Sequence, residues 1–203
     1  MFHAGVLWGR AYKFTGEVSY LDRLAKFLVK ARNQREDGYF WHSPSAPYYW
    51  GRGNGFAALA FAEALTYMPK DYRERSGVLV KHIRHLDALK KLQLPSGMFP
   101  QLLDSPGSFE EFTSTCQIGY AVTRGLRFRW LDDSYRELME AAWRGVAQRI
   151  DGDGNVTDAC EGTGLMPNRE AYLDRKAISG FDDRSGSMAI WFATEMARFK
   201  SEV

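Results

Sequence analysis

The sequence predicts an all-α fold, a toroid of repeated helical hairpins, on three observations. Apolar residues recur at helical spacing in several segments, one turn motif repeats at a near-constant interval, and short connections alternate with long ones.

The helices follow in order. Phe2 to Tyr12 carries Ala4 and Gly5 and reads as a helix rich in small residues. Tyr20, Leu24, Phe27, Leu28 and Ala31 fall on one stripe, with Arg23, Lys26, Lys30 and Arg32 largely off it, which is the pattern of an amphipathic helix. Val78, Leu79, Ile83, Leu86 and Leu89 form a second stripe, and Leu138, Ala142, Val146 and Ile150, with Trp143 nearby, a third. Between these lie Phe56 to Tyr67, Phe112 to Leu126 and Ser185 to Arg198, whose alanines and glycines suit burial on several sides.

Each amphipathic helix runs into a similar turn: Asp37-Gly38-Tyr39-Phe40, Ser96-Gly97-Met98-Phe99 and Asp153-Gly154-Asn155-Val156, the glycines 59 and 57 residues apart. Tyr20, Tyr72 and Tyr135 mark the helix starts, after the breakers Gly16, Pro69 and Asp132-Asp133. The connections over 38–51, 93–110 and 151–183 are long, and in a toroid they share one rim, where a site belongs. An α-solenoid whose long loops pack on one another fits the same repeat.

With 203 residues the chain reads as one domain over 1–203. Its 27 basic and 25 acidic side chains give a formal charge of +2, which argues against a nucleic-acid partner. There is no apolar run of membrane-spanning length and no basic-then-apolar leader, so no membrane association is expected. Cys116 and Cys160, 44 apart and without metal-type spacing, read as reduced thiols of a cytoplasmic protein.

The most informative segment runs from His42 to Phe56. Gly51, Gly53 and Gly55 keep its backbone open before a helix, alternating with Trp50, Arg52, Asn54 and Phe56. Aromatic faces stack on sugar rings, and Arg52 offers a planar fork for a carboxylate, so an acidic sugar would satisfy both. A glycine-rich turn whose aromatics fill the core and whose Arg52 caps carbonyls fits the same composition. Asp104, with Glu110 or Glu111, could supply a carboxylate pair for sugar chemistry, although Ser108 and Glu111 also read as a capping box. The run Asp151-Gly152-Asp153-Gly154-Asn155 lacks the later glutamate of a calcium loop and reads as the repeated turn. No metal site, catalytic thiol or dinucleotide fingerprint is expected.

The run Tyr49 to Phe56, the run Gly97 to Glu111, Ala142-Trp143-Arg144-Gly145 and Cys160-Glu161-Gly162-Thr163-Gly164 resemble the unsaturated rhamnogalacturonyl and glucuronyl hydrolases. The resemblance implies an (α/α)6 barrel of twelve helices, of which this chain would hold about seven as a C-terminal portion. It implies release of a 4,5-unsaturated uronic acid from lyase-generated oligosaccharides. An aspartic acid protonates the vinyl ether and activates the water that adds to it, with no metal or organic cofactor. Carried over, His42, Trp50, Arg52, Asn54 and Phe56 line the sugar pocket, Phe56 standing where the family has tryptophan. The general-acid aspartate is expected just upstream of Met1, with Asp104 as the alternative within the chain. Two further expectations stand beside the hydrolase: a non-catalytic module binding an acidic sugar or a protein, and association with a second chain that completes the barrel.

Overall fold

The computed structural model describes residues 2–105 and 107–202. Met1, to which the expected position of the general acid is tied, lies outside them, as do Pro106 and Val203. The helices are α1 (Phe2–Thr15), α2 (Val18–Val29), α3 (Gly51–Tyr67), α4 (Arg75–Lys90), α5 (Phe112–Arg127), α6 (Arg136–Ala147), α7 (Arg169–Leu173) and α8 (Asp183–Glu202). The seven longer ones answer to the seven predicted segments. Two antiparallel ribbons, β1 (Phe99–Pro100) with β2 (Glu110–Glu111) and β3 (Val156–Cys160) with β4 (Ala177–Gly180), decorate the long connections. Strands this short carry too little alternation to be read from the sequence. No helix among the described residues is long and apolar enough to cross a membrane.

The two kinds of helix occupy two layers. α1, α3, α5 and α8 lie side by side as an inner arc, with α2 against α1, α4 against α3 and α6 against α5 on the outside. Small residues allow the inner helices their close approach. A Cβ added to Gly5 would lie 2.7 Å from the Ala60 carbonyl oxygen, one on Gly55 2.1 Å from Gln117 Oε1, and one on Gly119 2.4 Å from the Phe192 ring. The arc is also tied by buried charge. Arg124 on α5 reaches Glu63 on α3 at 2.6 Å and Glu195 on α8 at 2.8 Å, and Arg127 takes the other Glu195 oxygen at 2.6 Å. Buried charges need such partners, so this seam fixes which faces of the three helices meet.

The outer helices bury one stripe each. On α2 it is Leu21, Leu24, Ala25 and Leu28. Phe27, placed on that stripe by its spacing, is instead 41% exposed and meets Trp8 edge-on with ring centroids 5.9 Å apart.

The sequence repeat has a structural cause. Gln34 Nε2 donates to the Gly38 carbonyl and to Lys81 O on the next outer helix, and Gln93 Nε2 donates likewise to Gly97 and to Leu138 O. The repeated tyrosines bridge outer helices too, Tyr72 donating to Asp22 at 2.8 Å and Tyr135 to Asp87 at 2.5 Å. The first two turns are thereby docked on the outer helix that follows each of them.

Gly97 combines both demands on a turn glycine, a φ of +85° and a position where a Cβ would sit 2.0 Å from the Ala141 carbonyl oxygen. Its counterpart Gly154 has a φ of +82° with nothing within 4 Å of the same point. Gly97→Ala is therefore expected to lower the unfolding free energy by about 2–4 kcal/mol, and Gly154→Ala by only about 1–2 kcal/mol from backbone strain. Urea unfolding of the two variants checks this. Equal losses would mean that the docking of the Gly97 turn contributes nothing.

Candidate functional site

The three long connections meet at one end of the arc. Gly51 N–H donates to Gln101 O at 2.8 Å and Leu103 N–H to Tyr49 O at 2.9 Å, which pairs the first connection with the second. Gln101 Nε2 donates to Tyr172 O at 2.9 Å, and Arg169 pairs with Asp104 at 2.6 Å, joining the second to the third. His42 Nδ1 lies 2.6 Å from the Tyr172 hydroxyl and closes the circuit.

The glycine-rich run differs from expectation. Residues Gly51 to Phe56 do not form an open loop; they are the first turns of α3, with Trp50 as an extended N-cap that has no side-chain cap bond. The first free N–H, on Gly51, is instead satisfied by the neighbouring loop. A Cβ on Gly51 would lie 2.6 Å from Pro100 O, so glycine is what lets the helix start against that loop.

A cleft of about 240 Å³ opens beside this turn, lined by Phe2, His3, Asn33, Trp41, His42, Trp50, Gly53 and Phe56. Of the five expected pocket residues it takes in His42, Trp50 and Phe56. His42 is half-buried, its ring centroid 4.5 Å from that of Trp50. Burial, followed by the charge of Arg52, lowers its pKa to about 4. Phe56 stacks on Phe2 with centroids 5.8 Å apart. Trp50, which also lines the cleft, is nearly covered, at 4% exposure.

Arg52 and Asn54 have other work. Arg52 is 3% exposed and donates to Cys160 O at 2.7 Å and Glu161 O at 2.6 Å, with its guanidinium carbon 4.8 Å from the Trp50 ring centroid. The fork expected to face a substrate carboxylate is spent on two backbone carbonyls of the third connection. Asn54 is wholly buried; its Oδ1 accepts from Phe40 N–H at 2.9 Å, and its Nδ2 donates to Phe40 O and Trp50 O. That geometry fixes the chain on either side of His42 rather than reaching the cleft.

The carboxylates are also placed elsewhere. Asp104 lines a separate hollow with Lys91, Leu92, Pro100 and Leu103, its carboxylate held by Arg169. Glu111 caps α5 as expected, but it is itself the N-cap, accepting from Thr113 and Ser114 N–H, while Ser108 Oγ turns back to Leu102. The ribbon β1–β2 moves the helix start beyond Ser108. Glu111 also accepts the Cys160 N–H at 2.9 Å, so it and Arg52 grip the third connection from its two backbone groups. Glu110 pairs with Arg149. Asp151 Oδ1 accepts from Asp153 and Asn155 N–H, both at 2.9 Å, which makes its run a closed turn.

Asn33, Trp41 and His3 line the cleft without having been singled out in the sequence. Trp41 had a signal, since it alternates with the buried Phe40 immediately before His42. Asn33 had none, because its role depends on its bond to Trp41 O at 3.1 Å. Among the described lining residues there is no carboxylic acid.

Residues 43–200 match the profile of Glycosyl Hydrolase Family 88. The unsaturated rhamnogalacturonyl hydrolase YesR of Bacillus subtilis (strain 168) is 27% identical over 157 residues, covering 76% of this chain and 43% of that protein. The unsaturated 3S-rhamnoglycuronyl hydrolase of Alteromonas sp. (strain LOR) is 23% identical, over 77% of this chain and 41% of that protein. In three dimensions, a possible member of the GH105 family from Klebsiella pneumoniae subsp. pneumoniae MGH 78578 superposes with a TM-score of 0.86 at 25% identity, covering 94% of this chain and 52% of that one. The chain thus spans about half the length of these relatives, and its arc of hairpins is the corresponding portion of their α/α toroid. It belongs to Glycosyl Hydrolase Family 88.

Proposed function

We propose that this chain forms the sugar-holding part of a glycoside hydrolase that releases a 4,5-unsaturated uronic acid from lyase-generated oligosaccharides. The observation that carries the reading is the cleft itself, where the rim loops of a Family 88 fold bring Trp41, His42, Trp50 and Phe56 together. Apolar ring faces suit the sugar plane, and the few polar atoms of His42 and Asn33 suit its oxygens. The whole reaction requires a carboxylic acid to protonate the vinyl ether, and the described lining residues supply none. A second reading follows from that same observation: taken alone, the chain is a non-catalytic module for an acidic sugar. Exposed Leu7 and Phe14 on α1, and Ile190 and Trp191 on α8, sit on the two end helices of the arc, which supports closure by further helices, whether from a second chain or a longer one. Two buried free thiols fit a cytoplasmic setting.

Calorimetric titration with an unsaturated uronyl disaccharide tests the reading. Absence of binding, or equal binding of a neutral disaccharide, would sink it. Arg52→Lys sharpens the result, since an ammonium lacks the planar fork whose two nitrogens serve Cys160 O and Glu161 O separately. The unliganded protein should lose about 1.5–3 kcal/mol of unfolding free energy, the range for hydrogen bonds to a charged group, and uronide binding should weaken as the loop loosens. Weaker binding with undiminished stability would mean instead that Arg52 meets the substrate directly.

A further inference from the structure

We infer that Tyr172 is a positioning residue that holds His42 as the Nε2–H tautomer, so that the cleft presents a neutral N–H donor to an acceptor oxygen of the sugar. The sugar part of this inference rests on the functional reading above; the tautomer part does not.

Tyr172 lies on α7 with its side chain wholly buried, 130 residues along the chain from His42. Its hydroxyl oxygen accepts the Met166 N–H at 3.3 Å. A phenol has one proton to give, and His42 Nδ1, at 2.6 Å, is the acceptor in reach among the described residues. The opposite arrangement, with Nδ1–H donating to the phenol oxygen, would strand the phenol proton in a buried site. Nδ1 is therefore the accepting nitrogen, and a neutral imidazole whose Nδ1 accepts carries its proton on Nε2. Nε2 has no protein partner among the described residues, and His42 lines the cleft.

The ring is neutral because burial and the nearby Arg52 charge keep its pKa at about 4. Its orientation is equally constrained. The Tyr172 carbonyl is held by Gln101 Nε2, the Tyr172 ring packs on Tyr48 with centroids 5.2 Å apart, and the His42 ring rests against Trp50. What the cleft gains is selectivity for acceptors. A carboxylate or ring oxygen is satisfied at this point, whereas an ammonium, with donors only, is refused.

Long-range proton–nitrogen NMR of the histidine rings at neutral pH is the test, with the His42 signals assigned by their loss in His42→Gln. The unaltered protein should show a protonated Nε2 and an accepting Nδ1. Tyr172→Phe keeps the ring contacts and removes the hydroxyl, so a population with Nδ1–H should appear. The Kd for an unsaturated uronyl disaccharide should rise about 3- to 10-fold, as expected for one neutral hydrogen bond. Nδ1–H in the unaltered protein, or a ring pattern unchanged by Tyr172→Phe, would overturn the assignment. If that variant does not fold, the spectrum of the unaltered protein decides the tautomer. If no form binds the uronide, the functional reading fails and the tautomer is still read from the same spectrum.

Discussion

Mixed with an unsaturated uronyl disaccharide, the 203-residue chain is expected to bind it and to turn it over at no more than background rate. The cleft can orient a sugar through Trp41, His42 and Phe56, yet its described lining offers no carboxylic acid, and His42, with a pKa near 4, is not a proton source at neutral pH. General acid–base catalysis is commonly worth about a hundredfold to ten-thousandfold. In a mechanism where one carboxyl group both protonates the double bond and activates water, its absence removes both contributions. Asp104 is no substitute, since its carboxylate is paired with Arg169 in a different hollow. The measurement is the fall in absorbance of the conjugated enol ether, read beside a full-length Family 88 enzyme. Robust turnover that Asp104→Asn abolishes would show that the acid lies within these residues and that the rim rearranges to deliver it.

The helical layers were legible because burial imposes a period on the sequence, and the turn repeat because its first two turns dock on the following outer helix through the same side chain, a glutamine. Gln34 and Gln93 are the physical content of that repeat, although the turn glycines were the more visible mark. The site was legible in composition and less so in role. Trp50, Arg52 and Asn54 stood out as chemically capable residues between glycines, but what occupies them is long-range. The carbonyls that Arg52 serves are 108 and 109 residues away, and no local pattern announces an unsatisfied backbone oxygen in a distant loop. Glu111 illustrates the same limit at short range. A capping box predicts Ser108 at the helix start, and only the pairing of β1 with β2 moves that start by three residues and turns the glutamate into the cap. Tyr172 carried no sequence signal at all, because its importance lies in one hydroxyl proton aimed at a residue 130 positions earlier.

Acid should destabilise the fold steeply, through a pair of histidines remote from the cleft. His82 and His85 are fully buried on the side of α4 that faces α3. His82 stacks on Phe61 with centroids 5.6 Å apart, and both its ring nitrogens lack a hydrogen-bond partner. His85 sets its Nε2 3.1 Å from Asn54 Oδ1, leaves Nδ1 unpartnered and packs edge-on to Phe40. Burial lowers the pKa of both to about 3, with the neighbouring His82 adding to the effect at His85. In the unfolded chain both return to about 6.5. Above that pH neither state binds the extra protons and stability is at its full value. As pH falls from about 6.5 towards 3, the unfolded chain takes up two protons at these positions that the folded one refuses, and His42, held at about 4, withholds a third down to that pH, so stability is lost. Each group contributes about 1.4 kcal/mol per pH unit in this window. The pair therefore removes roughly 5 kcal/mol by pH 4.5, comparable with the whole stability of many domains. Urea unfolding at pH 7.0, 5.5 and 4.5 reads the slope directly. His82→Leu removes one titrating ring together with its two unpartnered nitrogens, so the slope should flatten by about 1.4 kcal/mol per unit. If the variant and the unaltered protein lose stability in parallel, the buried ring does not refuse its proton, and the acid sensitivity must come from the carboxylates instead.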